Sequence, residues 1–339
     1  MVARYRSIRG VILAGTYTWA NAVFEQLEPR PLVPVANRSL VSYAISWLRG
    51  AGLTGITVCG NRQTRALQAH IARQVPDDTI LTYREDPMPR GAAGCLRDAA
   101  DADPCETYVV TDATAVPVSV DLQHLLQHHE ASHAEATVVV YREPTPRGNP
   151  GAIIPVGIYV VNRSALEAVP ARGFVDIKEH LVPRLYARGA RVQVFETRRP
   201  VPRVLNARTY LAVNAMAVES LATADGAPAG HVRRGEALIH AEASVAADAV
   251  LAGPVLIGQG AQIRPGAVLI GPTSIGCDAV INEGALVSRS AVWRRSTVEA
   301  GAALDLCIIG DGALISAGKA RQQHTPTVSF GPNRLARPA

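Results

Sequence analysis

Two different hydrophobic rhythms divide the chain. From about residue 8 to 215, short apolar runs alternate with amphipathic stretches, which is typical of strands alternating with helices in a mostly parallel sheet. A parallel sheet of this kind binds ligands beyond the carboxyl ends of its strands, where Gly15 and Asp112 fall. The pattern predicts strands at Ile8–Ala14, Ile56–Cys59, Tyr108–Asp112, Ala136–Tyr141 and Gly157–Val161, and helices at Leu40–Gly50 and Ile177–Ala187.

The second rhythm follows a segment of small residues, Thr223–Gly230. Apolar residues recur every six positions from Ile239 to Trp293, and a second set, mostly alanine, comes four places after each. This period is that of hexapeptide repeats, which form a parallel β-helix. The spacing breaks after Trp293, which indicates a distorted final coil. We therefore predict an α/β domain over residues 1–220, a linker over 221–235, a β-helix over 236–320 and a tail over 321–339.

Composition and charge exclude several classes of protein. The chain has 339 residues, 48% of them hydrophobic and 19% charged, which fits a globular protein of two domains. The net charge is +5, but the basic residues are dispersed and aromatic residues make up 5%, which argues against nucleic-acid binding. Apolar runs are too short for a membrane span and the start lacks a signal core, so we expect a cytoplasmic protein. The five cysteines form no CxxC pair, which argues against a disulfide framework or a zinc site.

Two short motifs point to a family. Val11–Gly15 reads VILAG, and fifteen positions after Gly15 begins Arg30–Val35, which reads RPLVPV. These segments resemble the signature of sugar-1-phosphate nucleotidyltransferases, the NDP-sugar pyrophosphorylases, VILAGG-x-GTRL-x-P-x-T followed by KPLVPV. With the hexapeptide repeats, the chain is similar to the pyrophosphorylases that make GDP-mannose or ADP-glucose. The resemblance implies a Rossmann-like (GT-A-like) domain followed by a left-handed β-helix.

The signature is altered where it should meet phosphate. Threonines occupy two glycine positions, Trp19 replaces the threonine, Ala20 the arginine and Arg30 the lysine. Threonine adopts positive φ poorly and adds bulk where phosphate must approach. In GTPases, an arginine that reaches a transferring phosphoryl group contributes roughly 10³- to 10⁵-fold in rate, and Ala20 supplies none of this. The loop Thr16–Ala20 is therefore expected to retain the fold and lose the chemistry.

The resemblance also implies roles for individual residues. Asp112 matches the aspartate that holds Mg²⁺, and Arg203 falls where a second metal aspartate is expected, so a cation would there repel Mg²⁺. Mg²⁺ is expected only if the protein is active or holds a nucleotide. Arg30 and Asp112 are the catalytic candidates if the protein is active, and Gly157 and Arg203 are the sugar or phosphate candidates. The nucleotide candidates are Ala14, Gly15, Glu85, Gly91, Ala92 and Asp112.

Each of these assignments has a structural alternative. Asp112 could cap the following turn, and Arg30 could form a surface ion pair. The small residues from Gly91 to Leu96 permit close approach of a base, and equally permit tight packing of helix on strand. His124/His128 and His129/His133 are i,i+4 pairs that could bind zinc, although an amphipathic surface helix also explains them. A β-helix acyltransferase is disfavoured because no histidine lies from Glu242 to Gln323.

Three functions remain open. The leading hypothesis is a non-catalytic pyrophosphorylase relative, a regulatory or assembly subunit that binds a nucleotide or NDP-sugar. Its β-helix would join a homo-oligomer or an active paralogue. The alternative is an active, atypical nucleotidyltransferase that transfers NMP from an NTP to a sugar or cyclitol phosphate with release of pyrophosphate. The third is a structural scaffold that binds no ligand; none of the three involves nucleic acid or a membrane.

Overall fold

The structure, a computed structural model, describes residues 7–15, 28–61, 65–72, 78–86, 88–145, 151–317 and 320–329. The altered loop Thr16–Ala20 lies outside these residues.

Contacts divide the chain into two compact units. The first contains residues 7–15, Pro29–Leu32 and Leu40–Pro202, and the second contains Val33–Ser39 and the chain from Arg203 onward. In chain order up to residue 223 the elements are β1 (Ile8–Leu13), β2 (Pro34–Val35), β3 (Arg38–Ser39), α1 (Leu40–Gly50), β4 (Gly55–Gly60), α2 (Arg65–Ala72), β5 (Ile80–Glu85), α3 (Gly91–Ala102), β6 (Thr107–Asp112), α4 (Leu122–Ala131), β7 (Ala136–Arg142), β8 (Ile153–Asn162), α5 (Val182–Ala187), β9 (Val192–Thr197) and α6 (Ala207–Thr223).

The first unit is built on a seven-stranded sheet in the order β5-β4-β1-β6-β8-β7-β9. The strands β5, β4, β1 and β6 are parallel, β8 runs antiparallel to β6 and β7, and β9 is parallel to β7. Alternate residues of the central strands enter opposite cores: Ile12 and Val109 lie in one buried cluster, Val11 and Val110 in the other. The mostly parallel sheet is confirmed, and all five predicted strands are present.

The predicted helix at Ile177–Ala187 has a more complex form. Its first part, Ile177–Leu181, is a π-helical turn, and α5 continues from Val182 to Ala187. Short 3₁₀ turns occur at Arg30–Leu32 and Arg163–Ala168. No helix among the described residues is long and apolar enough to cross a membrane.

The second unit stacks short parallel strands in three ladders. Ile263 pairs with Ile281, 18 residues on, which is three six-residue repeats per coil. These registers confirm the parallel β-helix, whereas its hand stays a prediction. The strands are β10 (His231–Arg234), β11 (Ala237–His240), β12 (Ser244–Val245), β13 (Val250–Ala252), β14 (Val255–Ile257), β15 (Gln262–Ile263), β16 (Val268–Ile270), β17 (Thr273–Ile275), β18 (Val280–Ile281), β19 (Leu286–Ser288), β20 (Ala291–Val292), β21 (Thr297–Val298), β22 (Ala303–Ile309), β23 (Leu314–Ile315) and β24 (Ala320–Ser329).

Trp293, the last residue of the six-residue spacing, does not take the inward position of its coil. The coil shortens one turn earlier: Ile270 still pairs with Ser288, 18 residues on, but Ser274 pairs with Ala291, 17 residues on. Val292 therefore takes the inward position, opposite Ile275 and Ile309. Trp293 is nevertheless buried, and its Nε1 donates a hydrogen bond to the Tyr210 hydroxyl over 2.8 Å. A one-residue deletion at the coil corner thus directs the indole ring to α6.

The helix α6 and the β2–β3 hairpin belong to the second unit. The hairpin turns through Ala36 and Asn37, both at positive φ, as a two-residue turn requires. The buried Asn214 side chain of α6 accepts the Ala36 N–H at 2.8 Å and the Ser274 hydroxyl at 3.2 Å. The predicted boundary at residue 220 falls inside α6, and the predicted linker contains β10.

Candidate functional site

The carboxyl ends of the parallel strands form one edge of the first unit. Leu13 pairs with Asp112 and with Cys59, and Gly60 pairs with Glu85, so the last residues of four strands lie side by side. Just beyond β1, Ala14 is buried and donates its N–H to the Cys59 carbonyl at 2.7 Å, and the next residue, Gly15, is exposed. The structure thus brings the predicted nucleotide candidates together where such sheets bind ligands.

Asp112 is half-buried at the end of β6. Its Oδ1 accepts the backbone N–H of Thr114 at 2.8 Å, and its carbonyl accepts the N–H of Ala115 at 3.0 Å. This is an Asx turn, the capping role considered as the alternative for this residue. One carboxylate oxygen is therefore engaged by the turn that follows the strand.

Asp86, directly after β5, organises the loop that leads to α3. Its Oδ1 accepts the N–H of Met88 at 3.2 Å, and its Oδ2 accepts the N–H of Arg90 at 3.3 Å and the Cys95 thiol at 3.0 Å. Burial raises the pKa of the Cys95 thiol, and its hydrogen bond to Asp86 raises it further, so the thiol stays a donor at neutral pH. The adjacent Glu85 is exposed at the end of β5, and its contact with a base stays a prediction.

Gly91 begins α3 at a φ of +73°. A Cβ at Gly91 would lie 2.6 Å from the Val175 carbonyl oxygen. The same oxygen accepts the N–H of Ala93 at 2.9 Å and of Gly94 at 3.4 Å, so these first-turn amides face protein. Ala92, between Gly91 and Ala93, is half-buried. The small residues thus serve close packing, and the Val175 contact was missed from sequence because it joins positions far apart in the chain.

Gly157 lies beside Asp112. Its neighbour Ile158 pairs with Thr111, the residue before Asp112, so Gly157 and Asp112 both adjoin the last pair of this antiparallel register. The backbone of Gly157 has a φ of +81°, at a register shift between β7 and β8. A bulge requiring left-handed backbone explains the glycine, whatever it contacts.

The two predicted arginines, Arg30 and Arg203, belong to different units of the chain. Arg30 begins the 3₁₀ turn of the first unit and is half-buried. Arg203 is the first residue of the second unit's main segment, directly after Pro202, whose carbonyl accepts the Val116 N–H at 2.9 Å. Their proposed contacts with a ligand stay predictions.

The residues do not fit a two-carboxylate Mg²⁺ site. By the family resemblance, Asp112 is the one carboxylate matched to a metal ligand, and an arginine, Arg203, is expected at the position of the other. Among the described residues, no group of three or more His, Cys, Asp or Glu side chains is arranged to hold a metal ion.

The histidines of α4 contact residues of the sheet, and His129 lies beside a cleft at the amino ends of its strands. His129 is 5% exposed, and its Nδ1 and Nε2 lie 2.8 Å from Thr137 Oγ1 and 3.0 Å from Asn162 Oδ1. His124 and His128 pack edge-on against the Phe195 ring. A cleft of 440 Å³ beside His129 and Asn162 is lined by residues at the amino ends of β1 and β6, away from the carboxyl edge. His124 is exposed, as a surface helix predicts, whereas His129 faces the interior with the leucines of α4.

His129 makes the fold sensitive to acid. Burial lowers the pKa of His129, so unfolding takes up a proton once the pH falls below the ordinary histidine value of about 6.5. We expect the urea midpoint to fall between pH 7 and pH 5, and His129→Gln to remove part of this dependence while lowering stability at pH 7. An identical pH slope in wild type and variant would contradict this account.

Comparisons with known proteins match this architecture. A family model described as nucleotidyl transferase matches residues 26–153. A mannose-1-phosphate guanyltransferase of Pichia angusta is 26% identical over 196 residues, covering 49% of this chain and 52% of the relative. A glucose-1-phosphate adenylyltransferase of Deinococcus deserti is 24% identical over 263 residues, covering 60% and 62%. The chain is related to the sugar-phosphate nucleotidyltransferases.

A solved structure supports the nucleotidyltransferase fold. A crystal structure from Bacillus anthracis, of a protein described as a glucose-1-phosphate thymidylyltransferase in complex with sucrose, aligns with a TM-score of 0.54. At 16% identity, over 62% of this chain and 95% of the other, the likeness concerns the fold. The chain spans about half to two thirds of the length of the curated nucleotidyltransferases it matches.

Proposed function

We propose that this nucleotidyltransferase relative is a non-catalytic subunit that binds a nucleotide or NDP-sugar at the carboxyl edge of its first unit. The observation that carries the proposal is that two carboxylates of this edge, Asp86 and Asp112, are engaged by the protein's own backbone. Asp86 accepts two backbone N–H groups and a thiol, and Asp112 accepts the Thr114 N–H. Carboxylates engaged in this way stabilise the shape of a binding surface. They are not directed at the charge that develops during phosphoryl transfer.

The altered signature supports the same proposal. Transfer of a nucleotide requires cations that neutralise developing charge, and Ala20 replaces the arginine that the family places there. Arg30 keeps a charge at the lysine position, but its planar fork does not reproduce a compact ammonium group. Binding needs fewer of these groups than catalysis does, since it stabilises no transition state.

An assembly role accounts for the outer surface of the coil. The outward positions of β13 and β16 include Val250, which is 50% exposed, and Ile270, which is 37% exposed. Exposed apolar side chains on neighbouring strands of a parallel sheet suit a protein contact. We infer that this face joins either a second copy or an active paralogue.

Activity assays test the proposal directly. We expect no pyrophosphate release above background with the four common NTPs, a panel of sugar and cyclitol phosphates, and Mg²⁺. We also expect an NDP-sugar at 100 times its Kd to stabilise the protein by about 2.7 kcal/mol, with little change when EDTA removes Mg²⁺. Light scattering of the same sample should give a multiple of 35.9 kDa if the coil joins identical copies.

Asp112→Asn is the matched control for activity. The substitution keeps an oxygen that can accept the Thr114 N–H, and removes the charge that a metal would need. Turnover in the wild type that Asp112→Asn abolishes would establish the active, atypical enzyme instead. Absence of stabilisation by any nucleotide or NDP-sugar would leave the structural scaffold.

A further inference from the structure

The loop between the Arg163–Ala168 turn and the π-helical turn presents an aromatic ring beside the predicted nucleotide segment. Phe174 is 51% exposed, although most large apolar residues of the first unit are buried. Its Cε2 would lie 3.1 Å from a Cβ placed on Gly91, the first residue of α3. The ring is therefore at the carboxyl edge of the sheet, next to the small residues that the family resemblance places near a base.

This loop is held firmly on both sides of Phe174. Val175 donates its N–H to the Arg90 carbonyl at 2.8 Å, and its own carbonyl accepts the Ala93 and Gly94 amides. The Arg90 guanidinium donates to the carbonyls of Ala171 and Pro170, and also forms a two-point ion pair with Asp98 at 3.0 Å. The loop backbone is therefore fixed to α3 before any ligand arrives.

The ring itself has a fixed orientation. His180 packs edge-on against Phe174, with ring centroids 6.1 Å apart and an interplanar angle of 82°. His180 is in turn held by the Asp176 N–H, which donates to its Nδ1 at 3.1 Å. Binding a flat ring to a side chain that is already oriented costs little conformational entropy, which is the property of aromatic anchors in binding sites.

We propose that Phe174 is the stacking platform for the base of the bound nucleotide, and so a residue that sets the affinity of this site. This inference rests on the proposed nucleotide binding. An aromatic face suits a base because stacking needs no matching hydrogen bonds, and it tolerates any of the common bases. Glu85, at the exposed end of β5, then selects among bases through their edges, since its carboxylate accepts hydrogen bonds from base amino groups.

Calorimetric titration of the full chain with the four NTPs, NDP-sugars and inorganic triphosphate tests this assignment. Phe174→Ala should weaken nucleotide binding about 5- to 150-fold, the range that base–aromatic stacking energies imply. Binding of inorganic triphosphate, which has no base, should not change. Phe174→Tyr should bind within about threefold of wild type, because it keeps the ring.

Tyr186→Ala supplies the matched control, since Tyr186 is an aromatic residue on α5 that is 58% exposed. It should bind every ligand as the wild type does. Equal nucleotide affinity in wild type and Phe174→Ala would overturn the stacking assignment and leave the proposed function standing. The stacking assignment would also be overturned if Phe174→Ala changed the mass of the protein in solution but not its affinity for nucleotides. The ring would then contact another copy of the chain. A wild type that binds no nucleotide would reject both proposals.

Discussion

Replacing Trp293 by alanine will lower the free energy of unfolding of the β-helical unit by about 3–5 kcal/mol, as expected for a large aromatic residue removed from a buried position. The indole is 4% exposed, and it contacts Tyr210 edge-on with ring centroids 6.0 Å apart. The loss also removes the donor to the Tyr210 hydroxyl, which itself donates to the Pro34 carbonyl at 2.7 Å. Urea unfolding followed by circular dichroism measures the change.

Trp293→Phe separates the two contributions. It keeps most of the ring and removes the indole N–H, so it should cost about 1 kcal/mol for the lost hydrogen bond, together with a smaller packing loss. If Trp293 pointed into the coil as the six-residue spacing suggested, substitutions by Leu or Val would be tolerated best. A Trp293→Leu variant more stable than Trp293→Phe would contradict the contact with α6.

Gly91→Ala is expected to destabilise the first unit by about 3 kcal/mol or more. A left-handed backbone costs a non-glycine residue roughly 1–2 kcal/mol, and the added Cβ would also meet the Val175 carbonyl. Because two backbone segments clash, neither can move without breaking the hydrogen bonds from Ala93 and Gly94 to Val175. Thermal unfolding of the purified variant reports the loss.

Gly189→Ala is the control for Gly91→Ala. Gly189 has a φ of +74°, almost that of Gly91, but nothing lies within 4 Å of a Cβ placed on it. It should therefore show the backbone cost alone, about 1–2 kcal/mol. Equal destabilisation by the two substitutions would mean that the segment from Gly91 yields easily, and that its glycine is needed for something other than packing.

Much of the fold could be predicted from the sequence. Strand and helix positions follow from local periodicity, and the 18-residue coil follows from the repeat, because both patterns depend on near neighbours in the chain. The shortened corner could not be located, since Val292 and Trp293 are adjacent and both apolar, so either fits the inward column. The division between units also has no local signal, because α6 is an ordinary helix whose partners lie in distant segments.

The candidate site divides in the same way. Its location followed from the carboxyl ends of β1 and β6, at Leu13 and Asp112, because a parallel sheet brings the carboxyl ends of its strands together. The glycine at residue 91 was ambiguous, because the atom that demands it belongs to Val175 and comes from another part of the chain. Phe174 escaped assignment for the same reason, because its position beside α3 depends on contacts that sequence spacing does not encode.

The hydrogen bond between Ala36 and Asn214 also bears on how the chain acquires its structure during synthesis. The two residues are 178 positions apart, so the turn of the hairpin leaves the ribosome long before the side chain that satisfies it. At about 5–20 residues per second, the delay is roughly 9–36 s. During that interval the N-terminal hairpin has no native partner in α6 or the coil, and it is exposed to chaperones and to other nascent chains. The second unit can close only late, once α6 and the first coils have been made.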